Sequence, residues 1–280
     1  MRSRQFDVSG RQLSALVWGQ PGATPVLALH GWLDNAASFI PLGQRLHEVE
    51  LVALDMAGHG HSDHRGPDGE YNVWSDLPDI EAVLDQLNWS QCTLLGHSRG
   101  AIIATLYACS RPQRVQRLAL LDGLQPPPVD ISETPVQFAQ YLDDKKRLQD
   151  RPARVFDSVE EALAVRRRFG LGDEEVRGIV ERNLAKVDDG WRWRFDQRLQ
   201  GASAMKLSAA HSEAILAGIS IPGLLLLARD GLGRLNSLPA LPNGMRSVFV
   251  EGSHHCHIDD AVDEVAQLLM DFFQEEDDRR

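Results

Sequence analysis

No apolar run in the 280-residue chain approaches the roughly 20 residues that a membrane-spanning helix needs, so no such span is expected. The first residues, MRSRQFDVSGRQ, carry arginines but no apolar core of a secretory signal, and no export by that route is expected. Cysteine is scarce: Cys92, Cys109 and Cys256 are an odd number in a long chain, and two of them lie in apolar surroundings. We read them as reduced thiols in a cytoplasmic protein rather than as a disulfide framework. Positive charge is in deficit. Lys and Arg total 29 against 40 Asp and Glu, a net charge of −11, which argues against nucleic acid and anionic membrane surfaces as partners. Part of the acidic excess sits in QEEDD, residues 274–278, read as a solvated helix end. No GxGxxG follows the first strand candidates, so a dinucleotide site is not indicated. There is no internal repeat at solenoid periods.

What is present is a globular composition, 43% apolar and 25% charged, long enough for one large domain or a domain with an insertion. Short apolar runs alternate with longer amphipathic stretches. Residues 13–19, 25–31, 49–55, 91–97, 117–123, 221–230 and 246–252 read as strands. The middle ones are nearly continuous in Val, Leu, Ile and Ala, as strands covered on both faces are. Between them, 38–47, 75–88, 99–110 and 260–273 read as helices; in the last, Val262, Val265, Leu268 and Leu269 recur at helical spacing. This alternation predicts a mostly parallel α/β sheet with helices on both faces. It stops between about 125 and 218, where PPP (126–128) opens a series of helix-like segments and WRWRFDQRL follows. We therefore expect a core domain from 1–124 and 219–280, with 125–218 as a helical cap insertion.

GHSRG, residues 96–100, stands where the strand candidate QCTLLGH becomes the helix candidate AIIATLYACS. A strand that turns at once into a helix forces its apex residue into an unfavourable conformation and needs small residues on either side, here Gly96 and Gly100. The apex lifts the Ser98 hydroxyl off the carboxyl edge of the sheet, where ligands bind in such folds. The Arg99 amide, opening the helix, is free to point at the same spot. A nucleophilic serine needs a base, an acid to orient the base, and two oxyanion donors. After the strand at 25–31, His30-Gly31 turns the chain, and the Trp32 amide is the candidate second donor. After the last strand, EGSHHCHIDD (251–260) offers three histidines. His254 follows Gly-Ser nearest the sheet edge and is preferred over His255 and His257 as base. For the acid, Asp230 ends the strand at 221–230 and Asp122 ends the one before; chain order fits either, and Asp230 is preferred because its strand neighbours the histidine strand.

HGW, DMAGHGHSD (55–63), GHSRG, ARDG and GSHHCH occur in the order found in the α/β-hydrolase fold superfamily, which the chain resembles over nearly its full length. Within it, WRWRFDQRL, ILAGISIPGLLLLARDG and the GSHHCH ending resemble the serine hydrolase-like proteins. The resemblance implies Ser98 as nucleophile, Asp230 as acid, His254 as base, and Trp32 and Arg99 as oxyanion amides. Family elbows of this kind often read Ser-Met-Gly-Gly; Ser98-Arg99-Gly100-Ala101 departs from that and is expected to put a cation or its stem beside the site.

Other constellations are weaker. His59, His61 and His64 in HGHSDH do not follow a familiar zinc-ligand spacing and are explained by a glycine-rich turn; neither they nor HHCH (254–257) are read as a metal site. Arg192, Arg194 and Arg198, interleaved with Trp191, Trp193 and Phe195, are read as a strand or turn with one solvated face in preference to a carboxylate clamp. The arginines at 166–168 are read as an exposed helix face. The expected activity is hydrolysis of a carboxylic ester, thioester or lactone through an acyl-enzyme, on a small-molecule substrate and with no cofactor or metal. The same triad also admits C–C bond hydrolysis or cofactor-free haloperoxidase-like chemistry, and the same fold admits a ligand-binding protein without turnover.

Overall fold

The computed structural model describes residues 1–149, 151–167, 172–232 and 240–275. Arg168 and the end of the acidic tail, 276–278, lie outside the described residues. Eight strands form one sheet: β1 (Arg2–Val8), β2 (Arg11–Trp18), β3 (Thr24–Leu29), β4 (Val49–Leu54), β5 (Cys92–His97), β6 (Val115–Leu121), β10 (Gly223–Asp230) and β11 (Met245–Ser253), in the spatial order β1-β2-β4-β3-β5-β6-β10-β11. From β4 to β11 every neighbouring pair is parallel. β1 pairs antiparallel with β2, and β2 with β4, so the sheet is mixed. β1 escaped the sequence reading because RSRQFDV is an edge strand that buries only Phe6 and Val8.

The parallel strands look continuously apolar because alternate side chains enter two different cores. Leu27, Leu29, Leu94, Leu118, Leu120, Leu225 and Leu227 pack on one face with Ile80, Val83 and Leu84 of α2 (Leu77–Leu87) and Ile103 and Tyr107 of α3 (Arg99–Ser110). Val26, Ala28, Leu95, Leu121, Leu224 and Leu226 pack on the other with Leu42 of α1 (Ile40–Arg45) and Val265, Leu269 and Phe272 of α8 (Val262–Gln274). Truncating one of these fully buried leucines to alanine typically costs about 2–5 kcal/mol.

Between β6 and β10 the chain leaves the main sheet. It forms α4 (Thr134–Gln149), β7 (Val155–Phe156), α5 (Val159–Arg166), α6 (Asp173–Asn183), β8 (Leu184–Val187), β9 (Gly190–Trp193) and α7 (Ala209–Ala217). The stretch is not helical throughout, which corrects that expectation: β7, β9 and β8 make a small antiparallel sheet, with the central strand in WRW, a run that reads as a strand or turn from sequence. Its cause is the alternation in Trp191-Arg192-Trp193, which exposes Arg192 and turns Trp193 onto Phe156. Phe156, Leu163, Val176, Val180 and Leu184 form a third apolar cluster within this stretch.

Buried polar bonds fasten α6 to the main sheet's loops. Arg182 Nε lies 3.0 and 2.9 Å from the two oxygens of Asp55, which is fully buried after β4. Asn183 accepts from the Gly60 amide and donates to Leu33 O, and Asn35 donates to Ile179 O. Among the described residues, no helix is long and apolar enough to cross a membrane.

Candidate active site

The run from β5 into α3 places Ser98 at φ 50°, ψ −116°, a region that a residue with a Cβ occupies at a cost of order 1–3 kcal/mol. The corner is held by close approach. A Cβ on Gly100 would stand 2.0 Å from Leu29 O, and one on Gly96 would stand 2.5 Å from the Ala101 Cα. Both glycines are therefore required by sterics, as the motif implied. The Ser98 amide donates to Leu121 O of β6, which keeps the apex on the sheet.

His254 follows β11 directly. Its loop is clipped by Asp259, whose Oδ2 accepts from the Ser253 amide (2.7 Å) and hydroxyl (2.8 Å) and whose Oδ1 accepts from the Ala261 amide. This clip sets His254 with Nε2 2.9 Å from Ser98 Oγ and Nδ1 2.6 Å from Asp122 Oδ2. Both ring nitrogens are thereby engaged.

The carboxylate on His254 is Asp122, which corrects the preference for Asp230. Asp122 stands one residue beyond β6 at φ 44°, and this left-handed turn folds its side chain inward, leaving it 0% exposed. Its Oδ1 accepts the Ala228 amide and its Oδ2 the Leu232 amide. Asp230 ends β10 on the exposed side. The residues on either side of Asp230-Gly231, Ala228 and Leu232, supply their amides to Asp122. Gly231 comes so close that a Cβ on it would lie 2.1 Å from Asp122 Oδ2.

Arg99 opens α3 directly after Ser98, and Trp32 lies in the turn after β3. Among the described residues, neither backbone amide donates to an acceptor of the chain. The Trp32 indole donates to Leu199 O, tying the turn after β3 to the inserted stretch. The expectation that the Arg99 cation lies beside the acyl site is not met. Its guanidinium is turned under the elbow onto Asp76 Oδ2 (2.8 Å) and Tyr71 O. Two of the arginines of WRWRFDQRL are committed as well: Arg194 donates to Leu184 O, and Arg198 to Asp196 and to four carbonyls of the loop 65–69, while Arg192 is exposed. A cleft of about 570 Å³ lies between the loop 67–72, α4 and residues 196–203. It reaches Leu199 beside Trp32 but is not lined by Ser98.

His255 and His257 are buried and do not touch Ser98. His255 Nε2 stands 3.4 Å from Asp34 Oδ2. His257 packs on Phe39 and His97, and burial, then the neighbouring His255, pushes its pKa down to about 3. His97, within the β5 run itself, holds the base's own backbone: its Nε2 is 2.9 Å from His254 O. Burial opposes ionisation of Asp34, but the Arg166 guanidinium and His255 outweigh it and hold the carboxyl well below the usual range. Neither Asp34 nor His97 was singled out from the sequence, because an aspartate in a loop and a histidine in an apolar strand carry no motif of their own.

The glycine-rich loop after β4 is structural. His30 Nδ1 bonds Gly31 O and its Nε2 accepts the Met56 amide, which fixes a neutral tautomer. His59 Nδ1 bonds Ala57 O, while His64 lies on Arg194 O and Asp196. Burial, then His30 and Arg99, depress the His59 pKa well below its ordinary value. The folded His59 thus stays neutral where the unfolded one takes up a proton, below about pH 6.5. Acidification through that value therefore removes stability. His59→Asn keeps a donor near Ala57 O but cannot titrate. It should lower stability at pH 7, through the smaller side chain, yet flatten the acid loss by up to about 1.4 kcal/mol per pH unit. Denaturant midpoints at pH 7 and pH 5 measure this; an unchanged slope would rule out His59 as a source.

With this geometry in view, the comparisons are consistent. A family model of the α/β hydrolase fold matches residues 24–159. A serine hydrolase-like protein of Danio rerio is 28% identical over 288 residues, covering 96% of this chain and 87% of that one. The crystal structure of a hypothetical protein from Pseudomonas aeruginosa PAO1 is 35% identical with a TM-score of 0.92, covering 98% of this chain and 100% of that one. A thioesterase domain from the curacin biosynthetic pathway is 25% identical with a TM-score of 0.77, covering 96% of this chain and 99% of that one. The chain belongs to the α/β-hydrolase fold superfamily and, within it, is a hydrolase-family protein similar to the serine hydrolase-like proteins.

Proposed function

We propose that the protein hydrolyses a carboxylic ester or thioester through an acyl-enzyme on Ser98. The observation that carries this reading is the pair of bonds on His254, 2.9 Å to Ser98 Oγ and 2.6 Å to Asp122 Oδ2. His254 takes the serine proton on Nε2 as Oγ adds to the carbonyl carbon. Asp122 holds the proton on Nδ1, which leaves Nε2 as the acceptor, and stabilises the imidazolium that forms. The Trp32 and Arg99 amides receive the developing oxyanion; one such donor is typically worth about 2.7–4 kcal/mol. His254 then passes its proton to the leaving oxygen or sulfur, the C–O or C–S bond breaks, and water activated by the same ring hydrolyses the acyl-enzyme. Thioesters belong in this reading because the similar curacin-pathway domain is a thioesterase.

In the same reading, residues 125–218 cap the site, fastened through Asp55–Arg182 and Trp32–Leu199, and the cleft beside Trp32 receives the part of the substrate remote from the reaction. Initial rates on p-nitrophenyl acetate and butyrate, and on a short acyl thioester, test the activity. Turnover that disappears in Ser98→Ala is expected. Folded wild-type protein with no more turnover than Ser98→Ala on any of them would sink the ester and thioester assignment.

A further inference from the structure

Directly behind His254, three side chains of separate elements converge: Asp34 from the turn after β3, His97 from the end of β5 and His255 from the loop after β11. Asp34 Oδ2 lies 3.4 Å from His255 Nε2 and 3.8 Å from His97 Nδ1, and the three ligand atoms all lie within 4.8 Å of one another. Nitrogen and oxygen ligands at 2.0–2.2 Å around a tetrahedral zinc ion stand roughly 3.3 Å apart. Two of the three separations are close to that edge already.

The chemistry of His97 points the same way. Its Nε2 faces the His254 carbonyl at 2.9 Å, and a carbonyl only accepts, so Nε2 carries the hydrogen. In the neutral ring Nδ1 is then a bare lone pair. It is buried, has no hydrogen-bond partner, and faces a carboxylate oxygen. Two electron-rich atoms confront each other across a gap in the buried interior, an arrangement that a cation relieves. The gap itself is kept open by Gly31: a Cβ there would stand 2.9 Å from both Asp34 Oδ2 and His97 Nδ1.

The surroundings resemble a supported ligand set. Arg166 holds Asp34 through Oδ1, so Oδ2 is the oxygen that faces His255 and the gap. The His254 carbonyl orients His97 through its other nitrogen, as outer partners of ligating histidines commonly do. The His255 side chain is 11% exposed, which gives an ion a way in.

We propose that Asp34, His97 and His255 bind one divalent transition-metal ion of the zinc class, and that its binding restrains the hydrolase by fixing the backbone of His254. The coupling path is short: His97 bonds the His254 carbonyl, and His255 is the next residue in the chain. The restraint rests on the proposed esterase reading; the binding does not. The Arg166 charge opposes the ion, so the site is tuned for occupancy at raised metal concentration rather than for permanent retention.

The test uses untagged full-length protein stripped with chelator and titrated with Zn²⁺ by calorimetry, with Co²⁺ visible absorption as a second reading of the ligand set. One ion per chain is expected. His255→Ala and Asp34→Asn should each weaken binding at least about tenfold. Ser98→Ala should bind as wild type does. Arg166→Gln should bind more tightly, because a repelling charge is gone. Zn²⁺ should slow ester hydrolysis, chelator should restore it, and His255→Ala should lose this sensitivity relative to its own zinc-free rate. No binding up to about 1 mM Zn²⁺, or binding that survives both His255→Ala and Asp34→Asn, overturns the site. Stoichiometric binding without inhibition overturns the restraint. If the zinc-free protein hydrolyses nothing, the esterase reading fails, and the calorimetry still decides the site.

Discussion

Asp122→Asn lowers kcat by about three to four orders of magnitude, as loss of the correct histidine tautomer does in such triads, while Asp230→Asn leaves it within a few-fold of wild type. The difference follows from what each carboxylate touches. Asp122 Oδ2 is 2.6 Å from His254 Nδ1 and the residue is fully buried. An amide nitrogen in its place offers a second donor to Nδ1, which then favours the tautomer with its proton on Nε2, facing Ser98. That ring cannot accept the serine proton. Asp230 ends β10 in the exposed part of the strand, and neither nitrogen of His254 is available to it. Because Asp122 also accepts the Ala228 and Leu232 amides, its asparagine variant loses some stability too. Melting curves separate this from catalysis, and KM should move far less than kcat, since the lost interaction serves the transition state. Equal losses in the two variants, or the larger loss in Asp230→Asn, would reassign the acid.

Why the sequence reading favoured Asp230 over the aspartate that contacts His254 is a matter of backbone conformation. Asp122 follows β6 and Asp230 ends β10 at the same edge, and chain order admits either. What separates them is that Asp122 turns left-handed at φ 44° and points inward, while β10 ends with Arg229 and Asp230 exposed. Neither fact is encoded in a spacing. The elbow was legible for the opposite reason. A Cβ on Gly96 would meet Ala101 of its own turn at 2.5 Å and one on Gly100 would meet Leu29 O of the neighbouring β3 at 2.0 Å, and a strand that turns at once into a helix announces both demands in one short run of sequence. The parallel strands were legible because two apolar faces leave an apolar run; β1, with one face bare, was not. The convergence of Asp34, His97 and His255 was invisible, since it joins residues more than sixty positions apart in the chain through the strand order β3-β5-β6-β10-β11. Arg99 was misjudged because its partner Asp76 lies on a different element, and only their packing turns the guanidinium away from the acyl site.

Ser98 should be the one serine of the chain that a fluorophosphonate modifies. The reagent asks for what an ester asks for: Oγ attacks phosphorus, fluoride leaves, and His254 takes the proton. Among the described residues, Ser98 alone has a histidine 2.9 Å away whose other nitrogen is held by a buried carboxylate, and in the proposed reading the Trp32 and Arg99 amides receive the charged oxygen. The rate of labelling should therefore fall by about two to four orders of magnitude in His254→Ala, the range that a positioned base contributes. His64→Ala should label within a few-fold of wild type, because that ring lies on Arg194 O and Asp196, away from the elbow. Ser98→Ala should fold and take up no label. A methyl group meets the same tight turn, and the variant gives up only the bond to His254. The measurement is the modified peptide after digestion, with intact mass giving the stoichiometry. Label on any other serine, or none on folded wild-type protein, would leave the elbow without a catalytic role. The competing account, a ligand-binding protein on a hydrolase fold, would then have to explain why a strained serine at φ 50° is kept beside an aligned histidine and a buried aspartate.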